Sequence, residues 1–199
     1  MSFKFELRAV TPNALDLIEE AGRICYDSPM NKETQEKFIA KRVKEGHESI
    51  LEHASATFVV DGLSRSYSHQ QVRHRLASYS QQSQRYVKSE DFEYVTPETI
   101  SNKPEIAQEY HELMNSIKAF YTKATGNGVP AEDARMALPN ACCTKIMFTM
   151  NFRSLRNFIK LRADKHAQWE IRKLATEILL IMNKSYRCCF EDLMEKFEV

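Results

Sequence analysis

The stretch RHRLASYSQQSQRY, residues 73–86, is the most informative part of this 199-residue chain. It holds three arginines and three serines, and its only large aliphatic side chain is Leu76. Arginine matches phosphate oxygens in bidentate pairs, and serine hydroxyls can complete such a site. A solvated basic helix face is the alternative, but hydroxyls and amides are less typical of it than mixed Glu and Lys. The stretch therefore predicts an anion-binding segment.

The segment before it, residues 64–72, is predicted to form a helix that Ser64 caps. This helix has few apolar side chains, so it must find partners in solvent, a ligand or a neighbouring subunit. Residues 54–60 alternate between apolar and polar and predict a strand, with a turn at Asp61-Gly62.

Hydrophobic patterns outside this region predict further elements. On the N-terminal side they are a strand through Phe3, Phe5 and Leu7, a helix with Thr11 as N-cap, and a helix over residues 32–45 that Gly46 ends. On the C-terminal side they are a helix over residues 104–125 with Ile106, Tyr110, Leu113, Ile117, Phe120 and Ala124 inward, a short helix over 131–138, and a strand over 141–150. A helical region over 151–186 follows, with an inward face of Leu155, Phe158, Ile159, Trp169, Leu174, Ile178 and Met182.

This order of elements predicts an α+β fold, with a mixed or antiparallel sheet flanked by helices. The length suits a single domain over residues 1–199 with a helical annex.

Composition restricts the class of protein. The 28 basic residues nearly balance the 27 acidic ones, which argues against a general nucleic-acid binder. The five cysteines form no C-x-x-C pair, so neither a disulfide framework nor a zinc site is predicted, and no H-E-x-x-H motif suggests a metal. No signal peptide or long apolar run is present, which predicts a soluble, cytoplasmic protein without a membrane partner.

Residues 73–86 match the motif R-H-R-x7-S-x-R-Y at all six of its fixed positions. In this the chain resembles the flavin-dependent thymidylate synthases. The resemblance extends to GHESILEH (46–53), RMALPNACCTK (135–145), NFRSLRNFIKLR (151–162) and RADKHAQWEIR (162–172). The chain departs from the family at Ser80-Gln81, where the family often has Asn-Glu. A glutamine carries no carboxylate charge, so residue 81 is not expected to act as an acid.

The resemblance implies an enzyme that methylates dUMP to dTMP. Its carbon donor would be 5,10-methylenetetrahydrofolate, and its hydride would come from NADPH through FAD, with tetrahydrofolate released. It also implies a homotetramer with active sites at subunit interfaces. A nucleic-acid-binding module that uses residues 73–86 is the competing hypothesis.

The resemblance further implies roles for individual residues. Arg162 is the predicted catalytic residue, because a guanidinium that stays protonated can stabilise charge on an activated uracil ring. The predicted dUMP contacts are Gln70, Gln71, Val72, Arg73, Gln81, Gln82, Ser83, Gln84, Arg85, Arg135 and Arg162. The predicted FAD contacts are Ser49, Arg73, His74, Arg75, Gln81, Asn151, Arg153, Asn157 and His166.

Helical spacing supports part of this set, because Arg153 and Asn157 are four residues apart, as are Arg162 and His166. The cysteines are interpreted as small core residues, since they lie far in sequence from the arginine and serine motif and none is flanked by an activating His.

Overall fold

Four strands form one sheet in the computed structural model, which describes residues 3–198. They are β1 (Lys4–Val10), β2 (Ser55–Ser64), β3 (Ser78–Gln81) and β4 (Cys143–Asn151), in the order β1-β2-β4-β3. Thr11 pairs with Ser55 at one end of β1, and Phe3 lies beside Gly62 at the other, so β1 and β2 are antiparallel.

Helices supply most of the remaining structure. They are α1 (Ala14–Ile24), α2 (Gln35–Lys44), α3 (Arg65–Gln71), α4 (Glu98–Ser101), α5 (Pro104–Gly126), α6 (Ala131–Ala134), α7 (Phe152–Arg162), α8 (Trp169–Ser185) and α9 (Arg187–Phe197), with 3-10 helices at Glu48–His53 and Arg135–Ala137. Helices and an antiparallel sheet confirm the predicted α+β class. Among residues 3–198, no helix is both long and apolar enough to cross a membrane.

The described chain divides into two compact units. The first unit contains residues 3–5, Val60–His69 and Ser80–Ile146. The second unit contains Glu6–Val59, Gln70–Tyr79 and residues 147–198.

Two strand predictions are confirmed, and one strand end is wrong. β1 and β4 lie where alternation predicts them. The predicted turn at Asp61-Gly62 lies inside β2, which continues to Ser64. Gly62 has a φ of 93°, which glycine adopts without strain. The backbone can therefore bend at Asp61-Gly62 while β2 continues to Ser64. β3 lies within the anion-binding motif and carries no pattern that predicted it.

One of the two predicted side-chain caps, Ser64, is present, and the other, Thr11, is not. Ser64 Oγ accepts a hydrogen bond from the Tyr67 amide at 3.1 Å, as predicted for the start of α3. The N-cap residue of α1 is Asn13 and not the predicted Thr11. The Thr11 hydroxyl is instead used in the sheet, where it accepts a hydrogen bond from the Ser55 amide.

The helical region predicted over residues 151–186 is two helices, α7 and α8, with a turn over 163–168 between them. Its predicted inward residues are confirmed, with the exception of the partly exposed Trp169. Those fully buried are Leu155, Phe158, Ile159, Leu174, Ile178 and Met182. Together they form a large part of the core of the second unit.

The predicted inward face of α5 is wrong for three of its six residues, whereas Tyr110 and Ile117 pack against the core of the first unit. Ile106, Leu113 and Phe120 are 48%, 55% and 56% exposed, whereas the buried residues of this helix are Met114 and Tyr121. The three exposed side chains recur every seven residues and form one stripe along the helix. The apolar pattern predicts burial, but nothing within residues 3–198 covers this stripe.

Candidate functional site

A groove in the second unit runs along one face of α7 and beside the 3-10 helix Glu48–His53. Its volume is about 520 Å³, and its lining is Glu48, Glu52, Leu76, Asn151, Arg153, Ser154, Asn157 and Lys160. Arg153, Asn157 and Lys160 share a face of α7 because they are spaced four and three residues apart. A groove of this size and polarity suits part of a small-molecule ligand.

Asn151 fixes the start of α7 at this groove. Its Oδ1 accepts a hydrogen bond from the Ser154 amide at 2.8 Å. Arg153 pairs with Glu52 across the groove lining. Three of the predicted FAD residues, Asn151, Arg153 and Asn157, therefore line one groove.

A buried arginine lies behind this lining. Arg156 is only 1% exposed, and both of its terminal nitrogens donate to the Asp192 carboxylate at 2.7 Å. Arg156 also donates to Glu48, which accepts a further hydrogen bond from Lys160. Burial alone would raise the pKa of Glu48, but the hydrogen bond from Lys160 and the charge of Arg156 together lower it. Glu48 is therefore an ionised carboxylate in the groove.

His74 supports the groove from inside. Its side chain is buried, and Nε2 lies 2.7 Å from Ser154 Oγ. Ser154 donates its own proton to the Leu76 carbonyl, so His74 donates from Nε2 to Ser154. Burial and the charge of Arg162 lower the pKa of His74. The neutral imidazole thus positions two residues of the groove lining.

The lowered pKa of His74 predicts a loss of stability in mild acid. The unfolded chain takes up a proton near pH 6.5, whereas folded His74 does so only at lower pH. Its contribution is therefore present above pH 6.5 and is lost as the pH falls through the folded pKa. We expect the free energy of unfolding in urea to fall less between pH 7 and about pH 5 in His74→Gln than in the unmodified chain. His166→Gln, at an exposed site, is the control, and an unchanged pH dependence in His74→Gln would contradict the assignment.

Arg162 lies at the end of α7, near the segment that precedes the motif. Its Nη2 donates to the Gln70 carbonyl at 3.2 Å, and no carboxylate among residues 3–198 pairs with it. Both side-chain amide atoms of Gln71 are buried without a hydrogen-bond partner in the described chain. Such groups cost about 1–3 kcal/mol each, which a polar ligand could offset. The predicted residues Gln70 and Arg162 are brought together.

Tyr79 stabilises the same segment. Its hydroxyl lies 2.8 Å from the carbonyl oxygens of both Gln71 and His74. Burial raises the pKa of Tyr79 to about 12, against the opposing charge of Arg162, so the phenol stays protonated and donates.

In the first unit, Gln81 is held by two hydroxyl groups. Its Nε2 donates to Ser68 Oγ at 2.8 Å and to Thr144 Oγ1 at 3.1 Å. The Ser68 hydroxyl donates to the Arg65 carbonyl, so it can accept a hydrogen bond from residue 81. An amide with a donor group therefore suits this position better than the glutamate that the family often has.

Arg85 and Arg135, both predicted dUMP contacts, meet at Glu132 in the first unit. Arg85 donates to the Glu132 carboxylate at 2.8 and 3.1 Å, and Arg135 donates to the Glu132 backbone carbonyl at 3.1 Å. Glu132 was not predicted, since acidic residues in the first turn of a short helix give no signal of a binding site in the sequence. The Arg85 ion pair is half-exposed, so a phosphate can compete with this carboxylate.

A cavity of about 220 Å³ in the first unit is lined by Gln82, Ser83 and Gln84, with Arg65, Cys142 and Cys143 among its other residues. The two cysteines therefore lie near the motif despite their distance in sequence, which corrects the argument from sequence separation. Burial raises the pKa of Cys142 to about 12, so its thiol is not an activated nucleophile. The interpretation of Cys142, Cys188 and Cys189 as buried residues is confirmed, whereas Cys25 is exposed.

Several predicted FAD residues lie outside the groove lining. Ser49, Arg73, Arg75 and His166 are exposed. The helical argument for His166 is wrong, because α7 ends at Arg162 and His166 lies in the turn that follows, where it bonds to Asp164. Sequence reasoning also missed Glu48, Glu52 and Lys160, although Lys160 follows Asn157 at helical spacing.

Comparisons with known proteins agree on one family. Residues 6–186 match the family model described as thymidylate synthase complementing protein. A flavin-dependent thymidylate synthase from Geobacter sulfurreducens is 44% identical over 199 residues, covering 95% of this chain and 86% of that relative. A protein of the same name from Thermococcus kodakarensis is 49% identical over 181 residues, covering 85% of this chain and 74% of the relative. Another, from Clostridium tetani, is 40% identical over 208 residues, covering 92% and 84%.

Proposed function

We propose that this chain, which belongs to the thymidylate synthase complementing protein family, acts as a flavin-dependent thymidylate synthase. It transfers the one-carbon unit of 5,10-methylenetetrahydrofolate to carbon 5 of the uracil ring of dUMP and releases dTMP and tetrahydrofolate, with NADPH as the reductant. The observation that carries the proposal is the family match over residues 6–186, together with relatives of that name at 40–49% identity. None of these relatives supports the competing hypothesis of a nucleic-acid-binding module.

The donor set of the second unit's groove fits a flavin dinucleotide. Arg153 in the first turn of α7 and Lys160 in its last turn offer cations, and Asn157 between them offers a neutral amide. When bound and reduced by NADPH, the flavin would supply the hydride that completes the methyl group. We propose that Asn151, Arg153 and Asn157 contact it directly and that His74 acts by positioning the groove lining. Ser49, Arg73, Arg75, Gln81 and His166 remain proposed contacts on the basis of the resemblance.

We retain the predicted dUMP contacts as part of the proposal. In the second unit they are Gln70, Gln71, Val72, Arg73 and Arg162. In the first unit they are Gln81, Gln82, Ser83, Gln84, Arg85 and Arg135, with Arg135 reaching the nucleotide of a neighbouring subunit. The uncompensated charge of Arg162 and the buried amide of Gln71 support the first set, and the hydrogen bonds that hold Gln81 support the second.

Arg162 is the proposed catalytic residue. A guanidinium without a carboxylate partner keeps its full charge for the substrate, and it stays protonated throughout the reaction. It can therefore stabilise negative charge that develops on the uracil ring as carbon 5 becomes nucleophilic. Holding dUMP, folate and flavin next to one another would contribute to the rate as well.

Purification followed by a turnover assay tests the proposal. The purified chain should show flavin absorbance or bind added FAD, and it should form dTMP from dUMP, 5,10-methylenetetrahydrofolate and NADPH. A protein that binds no FAD, forms no dTMP and binds an oligonucleotide with a steep salt dependence would favour the competing hypothesis instead.

We also propose a cytoplasmic location for the protein. The cysteines are compatible with it, because those within residues 3–198 are free thiols.

The exposed stripe of α5 supports the proposed homotetramer. Ile106, Leu113 and Phe120 present a row of large apolar side chains, and such a surface is typical of protein–protein contact. We expect Leu113→Glu to shift the protein from tetramer to smaller species in light scattering coupled to size exclusion. Glu109→Gln, at an exposed polar position of α5, is the control and should remain tetrameric. A tetramer that persists in Leu113→Glu would exclude this stripe from the interface.

A further inference from the structure

The carboxylate of Glu48 uses only one of its two oxygens within the protein. Oε1 accepts hydrogen bonds from Arg156 Nε at 3.1 Å, Arg156 Nη2 at 3.0 Å and Lys160 Nζ at 2.8 Å. Oε2 has no partner among residues 3–198, and the side chain is 18% exposed where it lines the groove. One oxygen is therefore fixed from behind, and the other remains an available acceptor.

The group that fixes Glu48 is itself rigid. Arg156 is held by the bidentate pair with Asp192 and by the Cys189 carbonyl, both contributed by α9. Glu48 cannot rotate without breaking its three hydrogen bonds to Arg156 and Lys160. Its free oxygen is thus preorganised for a ligand, which reduces the entropy that binding must overcome.

We propose that Glu48 Oε2 accepts a hydrogen bond from a hydroxyl group in the sugar portion of the flavin cofactor. The inference rests on the proposed function, because it assumes that FAD occupies this groove. A carboxylate repels phosphate but binds neutral hydroxyl donors well, and such hydrogen bonds are stronger than those between neutral groups. FAD carries hydroxyls on its ribityl chain and on its adenosine ribose, and either can be the donor. Asp192 is a positioning residue that acts through Arg156.

Glu48→Gln tests this acceptor with little change in shape. Arg156 and Lys160 both donate to the Oε1 position, so the amide oxygen of the glutamine must lie there. The amide NH2 group then takes the place of Oε2, and a hydrogen-bond donor replaces the acceptor. We expect the dissociation constant of FAD, measured by flavin fluorescence on apoprotein, to rise by about 10- to 100-fold. An unchanged dissociation constant in a folded Glu48→Gln variant would overturn the proposal.

FAD analogues that lack a single hydroxyl identify the donor and need no variant of the protein. Each analogue in the series lacks one hydroxyl, either of the ribityl chain or of the adenosine ribose. The analogue that lacks the donor hydroxyl should bind the unmodified chain about 10- to 100-fold more weakly than FAD. The same analogue should show little further loss in Glu48→Gln, because the hydrogen bond is already absent. If every analogue that lacks one hydroxyl binds the unmodified chain as tightly as FAD does, the proposal is wrong. This result would hold even if the Glu48→Gln variant did not fold.

Asp192→Asn tests the positioning role. It weakens the support of Arg156 without altering the groove lining, so we expect a several-fold rise in the dissociation constant of FAD. Glu191→Gln is the matched control. Glu191 is the neighbour of Asp192 on α9, but its carboxylate pairs with exposed Arg187. This variant should bind FAD normally. Equal affinities in Asp192→Asn and Glu191→Gln would contradict the positioning role.

The outcomes separate this inference from the proposed function. An unmodified chain that binds FAD and forms dTMP, while Glu48→Gln and all analogues bind normally, would overturn the inference alone. An unmodified chain that binds no FAD would overturn both.

Discussion

Arg162→Ala should lower the rate of dTMP formation by about 100- to 1,000-fold, the usual effect of removing one group that stabilises transition-state charge. The fold should survive, because the guanidinium makes a single hydrogen bond, to the Gln70 carbonyl. We expect steady-state assays to show the loss mainly in kcat, with an unchanged circular dichroism spectrum and near-normal thermal unfolding.

Arg172→Ala is the matched control for this variant. Arg172 also donates one hydrogen bond to a backbone carbonyl, that of Lys165, but it has no proposed role in the reaction. Its alanine variant should keep normal turnover. Normal turnover in Arg162→Ala, or an equal loss in both variants, would contradict the assignment of Arg162.

Arg156→Met is expected to cause the largest loss of stability, about 3–5 kcal/mol in the free energy of unfolding. The methionine fills much of the arginine's volume, but it leaves Glu48 and Asp192 without their shared cation. For a chain of this length the melting temperature should fall by roughly 10 °C. Urea unfolding and calorimetry of the apoprotein, at one fixed protein concentration, measure both quantities.

Arg153→Met, on the same helix, separates burial from charge. Arg153 is half-exposed and pairs with the half-exposed Glu52, and a surface pair of this kind contributes about 0–1 kcal/mol. Its variant should therefore unfold almost like the unmodified chain. A small loss in Arg156→Met, comparable with that of Arg153→Met, would show that the buried ion-pair network contributes little.

Periodicity predicted most elements because each buries one face. The residues of α7 and α8 that recur at helical spacing are buried as expected, since apolar side chains at this spacing form a continuous surface. The same reasoning failed for three of the six residues predicted inward on α5, because periodicity identifies an apolar face but not what covers it. β3 escaped prediction since its four residues are polar and belong to the motif. The single domain predicted over residues 1–199 stays a prediction.

Part of the candidate site could be predicted from local sequence and part could not. Arg153 and Asn157 share the groove because helical spacing places them together. Arg156 pairs with Glu48, which is 108 positions away in the sequence, and with Asp192, which is 36 positions away. No local sequence pattern reveals such pairs. The position of Cys142 beside the motif likewise depends on strand pairing rather than on sequence distance.

The fate of the folate tests the central claim most directly. The chain should be incubated with dUMP, 5,10-methylenetetrahydrofolate, FAD and NADPH, and its products quantified by chromatography. Because the flavin rather than the folate supplies the electrons, we expect one tetrahydrofolate and one oxidised NADPH for each dTMP. Formation of dihydrofolate together with dTMP, or the absence of dTMP from a flavin-loaded protein, would contradict the account.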